Sequence, residues 1–315
     1  RSGAIAPRRC SKVFYLADHA PMPRSKKPRP EAGPPSPDVG VRLQKVLSRA
    51  GHGSRREIEN WIRGGRVSVN GIAAELGQRV TPADQIEVDG KRLRLSTSAK
   101  VDILLLNKKT GTVATRHDPE DRTTVYEELP DLRAGRWVSV GRLDIQTSGL
   151  LLFTNDGELA NKLMHPSTGL DREYAVRVRG KLSNADLESL QQGVDVDGEH
   201  LRFSDVRYYN GSGNNYWYHV VLMEGKNREV RRLFEAVGLT VSRLKRVRYG
   251  PVILPSWLRT GQWTLLQEED VRSLYRTLGM RYEAPKRGSN ARHKPHRAAS
   301  IAKTSCLLPY PKIET

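Results

Sequence analysis

Residues 138–159 read VSVGRLDIQTSGLLLFTNDGEL, and this stretch decides the fold of the larger part of the chain. The apolar segments 137–140 and 150–154 are typical of buried strands, and the glycine-bounded loop 141–149 joins them. One carboxylate, Asp144, lies in that loop, and a charge between two core strands is costly unless it is exposed or paired. The residues alone leave two readings open: a carboxylate held for chemistry, or an ordinary loop cap or ion-pair partner of Arg142.

Further elements can be assigned on both sides of this stretch. Asn155 or Asp156 can cap a helix that ends at His165-Pro166. The remaining patterns predict strands at 103–106, 174–178, 216–222 and 240–247, and helices at 184–192, 268–278 and after the cap residue Asn227. Because these strands and helices do not alternate regularly, we expect an α+β fold in which helices flank a mostly antiparallel mixed β-sheet.

Residues 41–95 predict a separate helix–helix–strand module. Ser54 and Glu57 have the spacing of a capping box, which begins the second helix. Short alternating strands follow at 67–69 and 86–88. Four arginines lie on or beside the second helix: Arg55, Arg56, Arg63 and Arg66.

The composition then divides the chain into four segments. Residues 1–39 are rich in Pro, Lys, Arg and Ser, and residues from about 284 onward lack apolar periodicity, so both tails are expected to be disordered. The segments are a basic N-terminal tail at 1–39, a small module at 40–99, a large α+β domain at 100–283 and a basic C-terminal tail at 284–315. One hypothesis is that Met22 is the native first residue.

Net charge indicates the class of partner. The chain has 53 Lys and Arg against 35 Asp and Glu, a net charge of +18. The excess is concentrated in the tails and in residues 40–99, which carry 11 basic and 6 acidic side chains. Such a balance indicates a polyanionic partner, most often nucleic acid, although a basic surface that serves only solubility is the alternative.

Several classes of protein fit the sequence poorly. Cys10 and Cys306 lie in opposite tails, which argues against a disulfide framework or a cysteine zinc site and fits a reducing cytoplasm. No apolar run approaches the roughly 20 residues of a membrane span. Phosphate-binding loops, dinucleotide fingerprints and clustered histidines are absent from the sequence, so no cofactor or metal is expected.

The module at 41–90 resembles the S4 RNA-binding domain, and SRREIENWIRGGRVSVNG carries the resemblance. Arginine suits the recognition of RNA phosphates because its guanidinium group donates two parallel hydrogen bonds. The resemblance therefore implies that RNA binds this module, whereas four arginines alone would by default be a solvated helix face.

GRLD followed by TSGLLLFTNDGELA resembles the hallmark of the RsuA/RluB/RluE/RluF family of ribosomal RNA pseudouridine synthases. The resemblance runs through about residue 280, and it is strongest to the RluB branch, which modifies large-subunit (23S) RNA. In this family the Asp of GRLD is the catalytic nucleophile, a role that the resemblance assigns to Asp144. One departure is Lys109, which stands where the family's NKPxG motif has Pro; it bears on the local backbone rather than on the chemistry.

Two further motifs extend the resemblance. DREYAVRV places Tyr174 where the family has the tyrosine that stacks on the target base and assists proton handling at C5. EGKNREVRRLFEAVG resembles the third motif, whose arginine pairs with the catalytic carboxylate; Arg231 matches best and Arg228 is the competing choice. Arg228, Arg231 and Arg232 crowd a helix start, where the dipole disfavours cations, so an anion is expected beside them: Asp144 or an RNA phosphate.

The resemblance implies an enzyme that isomerises uridine to pseudouridine in ribosomal RNA, on a base flipped out of its helix. We expect a cytoplasmic monomer that needs no cofactor. The expected RNA contacts are Arg55, Arg56, Arg63, Arg66, Arg142, Lys226, Arg228 and Arg232. The alternatives are a small-subunit (16S) target, a non-catalytic S4-domain assembly factor, and an S4-domain methyltransferase, which the missing glycine-rich loop argues against.

Overall fold

The computed structural model describes residues 40–93, 100–132, 135–284, 304–311 and 313. The predicted N-terminal tail, 1–39, and residues 285–303 of the predicted C-terminal tail lie outside the described residues.

The N-terminal module packs two helices against small sheets. Ser54 accepts a hydrogen bond from the backbone N–H of Glu57, and the Glu57 side chain accepts one from Ser54 N–H, which confirms the predicted capping box. Leu43, Leu47 and Ile58 form the centre of a separate core. The elements are β1 (Val41–Arg42), α1 (Leu43–Arg49), α2 (Arg55–Arg63), β2 (Val67–Val69), β3 (Ile72–Ala73), β4 (Arg79–Val80), β5 (Ile86–Val88) and β6 (Lys91–Arg92).

The larger domain begins with a fully buried strand and ends with an amphipathic helix. Its elements are β7 (Ile103–Lys108), β8 (Val138–Val140), β9 (Ser148–Thr154), α3 (Gly157–Met164), β10 (Arg172–Arg179), α4 (Asn184–Gln192), β11 (Val194–Val196), β12 (Glu199–Leu201), β13 (Asp205–Ser212), β14 (Asn215–Leu222), α5 (Glu229–Ala236), β15 (Thr240–Tyr249), β16 (Val252–Ile253), β17 (Trp263–Leu265) and α6 (Glu268–Thr277).

Nine of these strands form one sheet. Its main path is β13-β14-β10-β15-β9-β7-β17, with β8 paired to β9 and β16 paired to β15. The pairing of β15 with β9 is parallel, and the other pairings in this sheet are antiparallel. This confirms the α+β class with a mostly antiparallel mixed sheet that follows a small N-terminal domain.

Helices cover both faces of the sheet because its central strands bury alternate residues on each side. Leu104 of β7 joins a core that includes Leu190 of α4 and Phe234 of α5. The neighbouring Leu105 joins the opposite core, with residues of α3 and α6. Among the described residues, no helix has the length and apolar character that crossing a membrane requires.

Two local predictions are corrected. Asn227 does not cap α5: Arg228 is the N-cap residue, in a left-handed conformation with φ 49°, and makes no side-chain cap. The Glu229 side chain instead accepts a hydrogen bond from the backbone N–H of Lys226 at 2.9 Å. Strand β13 was not predicted from the sequence, because most of its residues are exposed, and because apolar and polar residues do not alternate in it.

The prediction of an unstructured C-terminal tail is wrong for residues 304–311. Cys306 is fully buried, and its backbone N–H donates to Asp270 of α6 at 2.9 Å. Leu308 N–H donates to Pro251 O at 2.8 Å, and the Tyr310 hydroxyl donates to Asp171 at 2.9 Å. This short segment binds through specific hydrogen bonds and a buried thiol, which periodicity does not reveal.

Candidate active site

The loop between β8 and β9 carries Asp144 on an exposed turn. Asp144 lines an open cavity of about 550 Å³, and Tyr174 from β10 lines the same cavity. Asp144 is exposed whereas Tyr174 is only 8% exposed. No hydrogen bond or ion pair of the Asp144 carboxylate is found within the described part of the chain, so this carboxylate is accessible from the cavity.

The backbone of this loop is held from both sides. Thr147 N–H donates to Asp144 O at 2.9 Å, and Gly111 N–H donates to Ile145 O at 2.8 Å. Behind the loop, the β9 backbone comes so close to β15 that a Cβ at Gly149 would lie 2.2 Å from Arg246 O. The loop is therefore tied at its turn and at its end, which limits the positions that the Asp144 carboxylate can take.

Lys108, at the end of β7, is the strongest support of the loop and was not singled out in the sequence. Its side chain is fully buried, and Nζ donates to the carbonyl oxygens of Lys109, Thr147 and Asp144 at 2.8, 2.9 and 3.2 Å. Burial lowers the pKa of Lys108 to about 8, against the opposing effect of nearby Asp144 and Glu128. The sequence feature that could have identified it is a lysine two residues after the apolar run 103–106.

Tyr174 reaches the cavity from the centre of the sheet. It lies between Val220 of β14 and Arg246 of β15, and the β10–β15 register shifts between Glu173 and Tyr174. Glu173 accepts hydrogen bonds from Arg248 at 3.0 Å and contacts His219 Nδ1 at 2.7 Å. Paired charges therefore hold the strand beside the tyrosine.

Arg231 does not form the direct pair with Asp144 that the third motif implies. Its guanidinium group donates to Gln146 O at 3.1 Å and to Val241 O at 3.2 Å. Burial lowers the pKa of Arg231, as does Arg228, while the nearby charge of Asp144 raises it. Arg231 therefore lies within electrostatic range of Asp144 and binds the loop through a backbone carbonyl two residues further on.

A second buried arginine lines the cavity and was also missed. Arg246 is 3% exposed, and its Nε donates to Leu150 O at 2.8 Å. Its guanidinium carbon lies 5.1 Å from the ring centroid of Tyr249, and Nη2 has no hydrogen-bond partner within the described residues. The sequence feature that could have identified Arg246 is RLKRVRY in β15, where arginines recur on a strand that is otherwise apolar on its buried face.

The predicted RNA-contact residues fall into two groups. Arg142, Lys226 and Arg228 line the same cavity as Asp144, whereas Arg232 lies away from it, paired with Glu199 and Asp197. In the N-terminal module, Arg66 is held in a two-pronged pair by Asp89. The remaining arginines of that group are exposed: Arg55, Arg56 and Arg63. Arg66 and Arg232 therefore carry compensated charges, and Lys226 and Arg228 have longer ion pairs with Glu224 and Glu235, at 3.5 and 3.7 Å. The remaining four have no ion pair among the described residues: Arg55, Arg56, Arg63 and Arg142.

The described residues contain no group of three or more His, Cys, Asp or Glu side chains placed to hold a metal ion. The groups that line the cavity include the Asp144 carboxylate, the Tyr174 phenol, the guanidinium groups of Arg142, Arg228 and Arg246, and the Lys226 ammonium group.

Known family models match both the N-terminal module and the larger domain. The family model described as RNA pseudouridylate synthase matches residues 102–236, and the S4 domain model matches residues 41–86.

Individual relatives agree. The chain is 52% identical over 267 residues to ribosomal large subunit pseudouridine synthase B of Pseudomonas aeruginosa, covering 84% of this chain and 69% of that protein. It is 55% identical over 232 residues to the protein of the same name in Escherichia coli strain K12, covering 72% and 80%. A crystal structure described as a pseudouridylate synthase superposes with a TM-score of 0.52 at 24% identity, covering 75% of this chain and 100% of that one; it supports the fold.

Proposed function

This chain belongs to the RNA pseudouridylate synthase family, and from that membership we propose that it isomerises one uridine of large-subunit (23S) ribosomal RNA. Pseudouridine synthase activity follows from the family and from relatives at 52% and 55% identity. The large-subunit target is supported by the names of those relatives. We assign residues 40–99 to the S4 RNA-binding domain and 100–283 to the catalytic domain, in keeping with the two matched ranges.

The observation that carries the proposal is the placement of Asp144. A carboxylate without a partner among the described residues stands on a turn held by Lys108 and by the backbone of β9. The adjoining cavity of about 550 Å³ has room for a single nucleoside, and a uridine stacked in an RNA helix is inaccessible to such a group. The target base is therefore flipped into the cavity.

The reaction conserves every atom of the nucleotide. The glycosidic bond between N1 and C1′ breaks, the uracil turns, and a bond forms between C5 and C1′; C5 loses its proton and N1 gains one. Asp144 acts as the nucleophile, by attack at C1′ or by addition to C6 of uracil, or it acts at the ribose as a base that abstracts a proton to give a glycal. Because the change is an isomerisation within one nucleotide, no external electron or group donor enters the balance.

The remaining residues of the cavity have separate roles. Tyr174 forms a wall against which the flipped uracil stacks, and its hydroxyl assists removal of the C5 proton. Arg231 holds the Asp144 loop through Gln146 O and keeps a positive charge near the carboxylate. Arg142, Lys226 and Arg228, at the cavity rim, bind the phosphates on either side of the target.

The S4 domain supplies affinity rather than chemistry. Arg55, Arg56 and Arg63 form no ion pair among the described residues and present their guanidinium groups to the RNA backbone, while Arg66 and Arg232 contribute less because acidic side chains already compensate them. We further propose that the protein acts as a monomer in the cytoplasm and needs no metal or other cofactor.

The test is pseudouridine formation by the purified Asp144→Asn protein on an unmodified large-subunit ribosomal RNA transcript, with EDTA present and no cofactor added. Wild-type protein should form one pseudouridine per transcript, located by chemical mapping. Asp144→Asn should form none yet bind the transcript with nearly wild-type affinity, because the amide keeps the shape but not the nucleophilicity of the carboxylate.

Asp131→Asn is the matched control, since Asp131 is exposed and does not line the cavity. It should retain wild-type activity. Pseudouridine made by pure Asp144→Asn protein would disprove the nucleophile assignment. Wild-type modification of a small-subunit transcript in preference to the large-subunit one would overturn the target.

A further inference from the structure

A second concave site lies where the N-terminal domain meets the catalytic domain. Its cavity of about 210 Å³ is lined from α1 and α2 by Arg49 and Arg55, and from the catalytic domain by Arg136 and the start of α3. The two domains touch closely here, because a Cβ at Gly51 would lie 2.9 Å from the backbone N of Gly135. We name this site the interdomain cleft.

The acidic side chains of the interdomain cleft are already engaged. Glu158 pairs with Lys45. Asp156 caps α3 by accepting from Glu158 N–H at 2.8 Å and also accepts a hydrogen bond from the Tyr275 hydroxyl at 2.5 Å. Lys45 is therefore neutralised by Glu158, whereas the arginines that line the cleft form no ion pair with either carboxylate.

Three arginines of the cleft have no ion pair within the described residues: Arg49, Arg55 and Arg136. Arg136 is half-buried, and its Nε has no hydrogen-bond partner there. Burial is the largest cause that lowers the pKa of Arg136; the charges of Arg116 and Arg55 lower it further, while Tyr126 and Glu57 raise it. Glu57 is itself engaged in the capping box of α2. Converging guanidinium groups without an anion are costly, and an anion that enters between them removes that cost.

The lining of the cleft indicates which anion binds there. Its described residues include no aromatic ring, so a nucleobase has nothing on which to stack. Met164 lines both the interdomain cleft and the cavity that contains Asp144, so the two sites are neighbours on one surface. An RNA strand whose target base occupies the cavity therefore passes the cleft with its backbone.

We propose that the interdomain cleft binds one backbone phosphate of the substrate RNA, bridging Arg49 and Arg55 of the S4 domain to Arg136 of the catalytic domain. This inference rests on the proposed function, since it takes the substrate to be RNA. Guanidinium groups bind phosphate oxygens through paired charge-assisted hydrogen bonds, which suits a site where three arginines lack an ion pair among the described residues. The bridge orients the S4 domain on the RNA relative to Asp144.

The experiment measures the salt dependence of binding by the full chain. The dissociation constant for an unmodified large-subunit ribosomal RNA transcript is measured against KCl concentration in the Asp144→Asn background, where no product forms. Arg136→Gln and Arg49→Gln should each weaken binding several-fold and reduce the slope of log affinity against log salt by about 0.7–0.9. The double variant should lose no more slope than the larger single loss, because one phosphate is shared.

Arg179→Gln is the matched control: it removes one exposed arginine at the far end of β10 from Tyr174. The salt slope of Arg179→Gln is the value with which the slopes of the cleft variants are compared. Arg136→Lys should keep more of the wild-type slope than Arg136→Gln, and thermal melting checks the fold of each variant. If Arg136→Gln fails to fold, exposed Arg49→Gln still decides the question. A slope in Arg49→Gln and Arg136→Gln equal to that of Arg179→Gln would overturn the proposal.

The two proposals fail separately. If wild-type protein forms pseudouridine but the cleft variants keep the salt slope of the control, the phosphate bridge is refuted and the proposed function stands. If the salt slope depends on the cleft arginines but wild-type protein forms no pseudouridine, the proposed function is refuted and the phosphate bridge stands.

Discussion

Lys108 shows how a single buried charge serves this active site. Its ammonium group donates to four backbone carbonyls, one of them that of Asp144 itself, so a group that does not line the cavity positions the residue that does the chemistry. The carbonyls compensate the ammonium only in part, because burial still lowers the pKa of Lys108 to about 8 from 10.5.

Lys108 therefore predicts a specific dependence of stability on pH. Between pH 8 and 10.5 the unfolded chain holds the Lys108 proton and the folded chain releases it. Because the unfolded state then binds more protons, the free energy of unfolding should gain a contribution that rises with pH, up to ~3 kcal/mol across this window. Urea unfolding of wild type and Lys108→Met at a series of pH values measures the difference.

Lys108→Met should lack this rise, because it has no titratable group at that position. Its pseudouridine formation should also fall at least tenfold, since the loop of Asp144 loses its anchor. Identical pH dependence in the two proteins would show that Lys108 keeps its ordinary pKa.

At the scale of elements, the parallel pairing of β9 with β15 is what brings the distant motifs together. Arg246 of β15 lies opposite Gly149 of β9, and this pairing places the end of the Asp144 loop against the strand that carries Arg246. Glycine is required at position 149 for two reasons. Its φ of 100° is unfavourable for other residues, and the Cβ of a side chain would overlap with Arg246 O.

Gly149→Ala should therefore lower the free energy of unfolding by about 3 kcal/mol or more, through backbone strain and steric overlap. Gly141→Ala is the matched control in the same loop: its φ is 75° but nothing lies within 4 Å of its Cβ. It should cost about 1–2 kcal/mol, the strain of the left-handed backbone alone. Equal losses in the two variants, from urea unfolding, would argue against a tight β9–β15 contact.

At the scale of the whole molecule, a segment near the C-terminus completes the catalytic domain. Ser305 and Cys306 bind Asp270 of α6, and Tyr310 binds Asp171, which is paired in turn with Arg248. Arg248 also binds Glu173, the neighbour of Tyr174. The end of the chain is thus linked to the active site through one network of charged groups, and charges that hydrogen-bond both ways stabilise one another.

Deletion of residues 304–315 should lower the free energy of unfolding by about 2–4 kcal/mol. It exposes the surface against which Cys306 packs, and it removes Ser305 and Cys306, the partners of the buried Asp270 carboxylate. Leu308→Ala, which alters a side chain that is already 45% exposed, should leave the melting temperature nearly unchanged. An unchanged melting temperature after the deletion would show that the segment contributes no stability.

Local sequence was sufficient to predict many of the elements of this protein. The α+β class, the capping box at Ser54, the helix Asn184–Gln192 and the GRLD loop between two strands all follow from side-chain periodicity and capping, which are properties of neighbouring residues. The motifs also singled out Asp144 and Tyr174, which line one cavity.

Only the tertiary structure decided how distant groups pair. Arg231 binds Gln146 O rather than Asp144, Lys108 lies beneath the loop, and residues 304–311 pack on the catalytic domain. These contacts join residues far apart in the chain, and several run through backbone carbonyls that every residue possesses. Sequence therefore determined which groups are available for chemistry and RNA binding, whereas packing decided which of them meet, because burial and hydrogen-bond geometry are set by the folded chain as a whole.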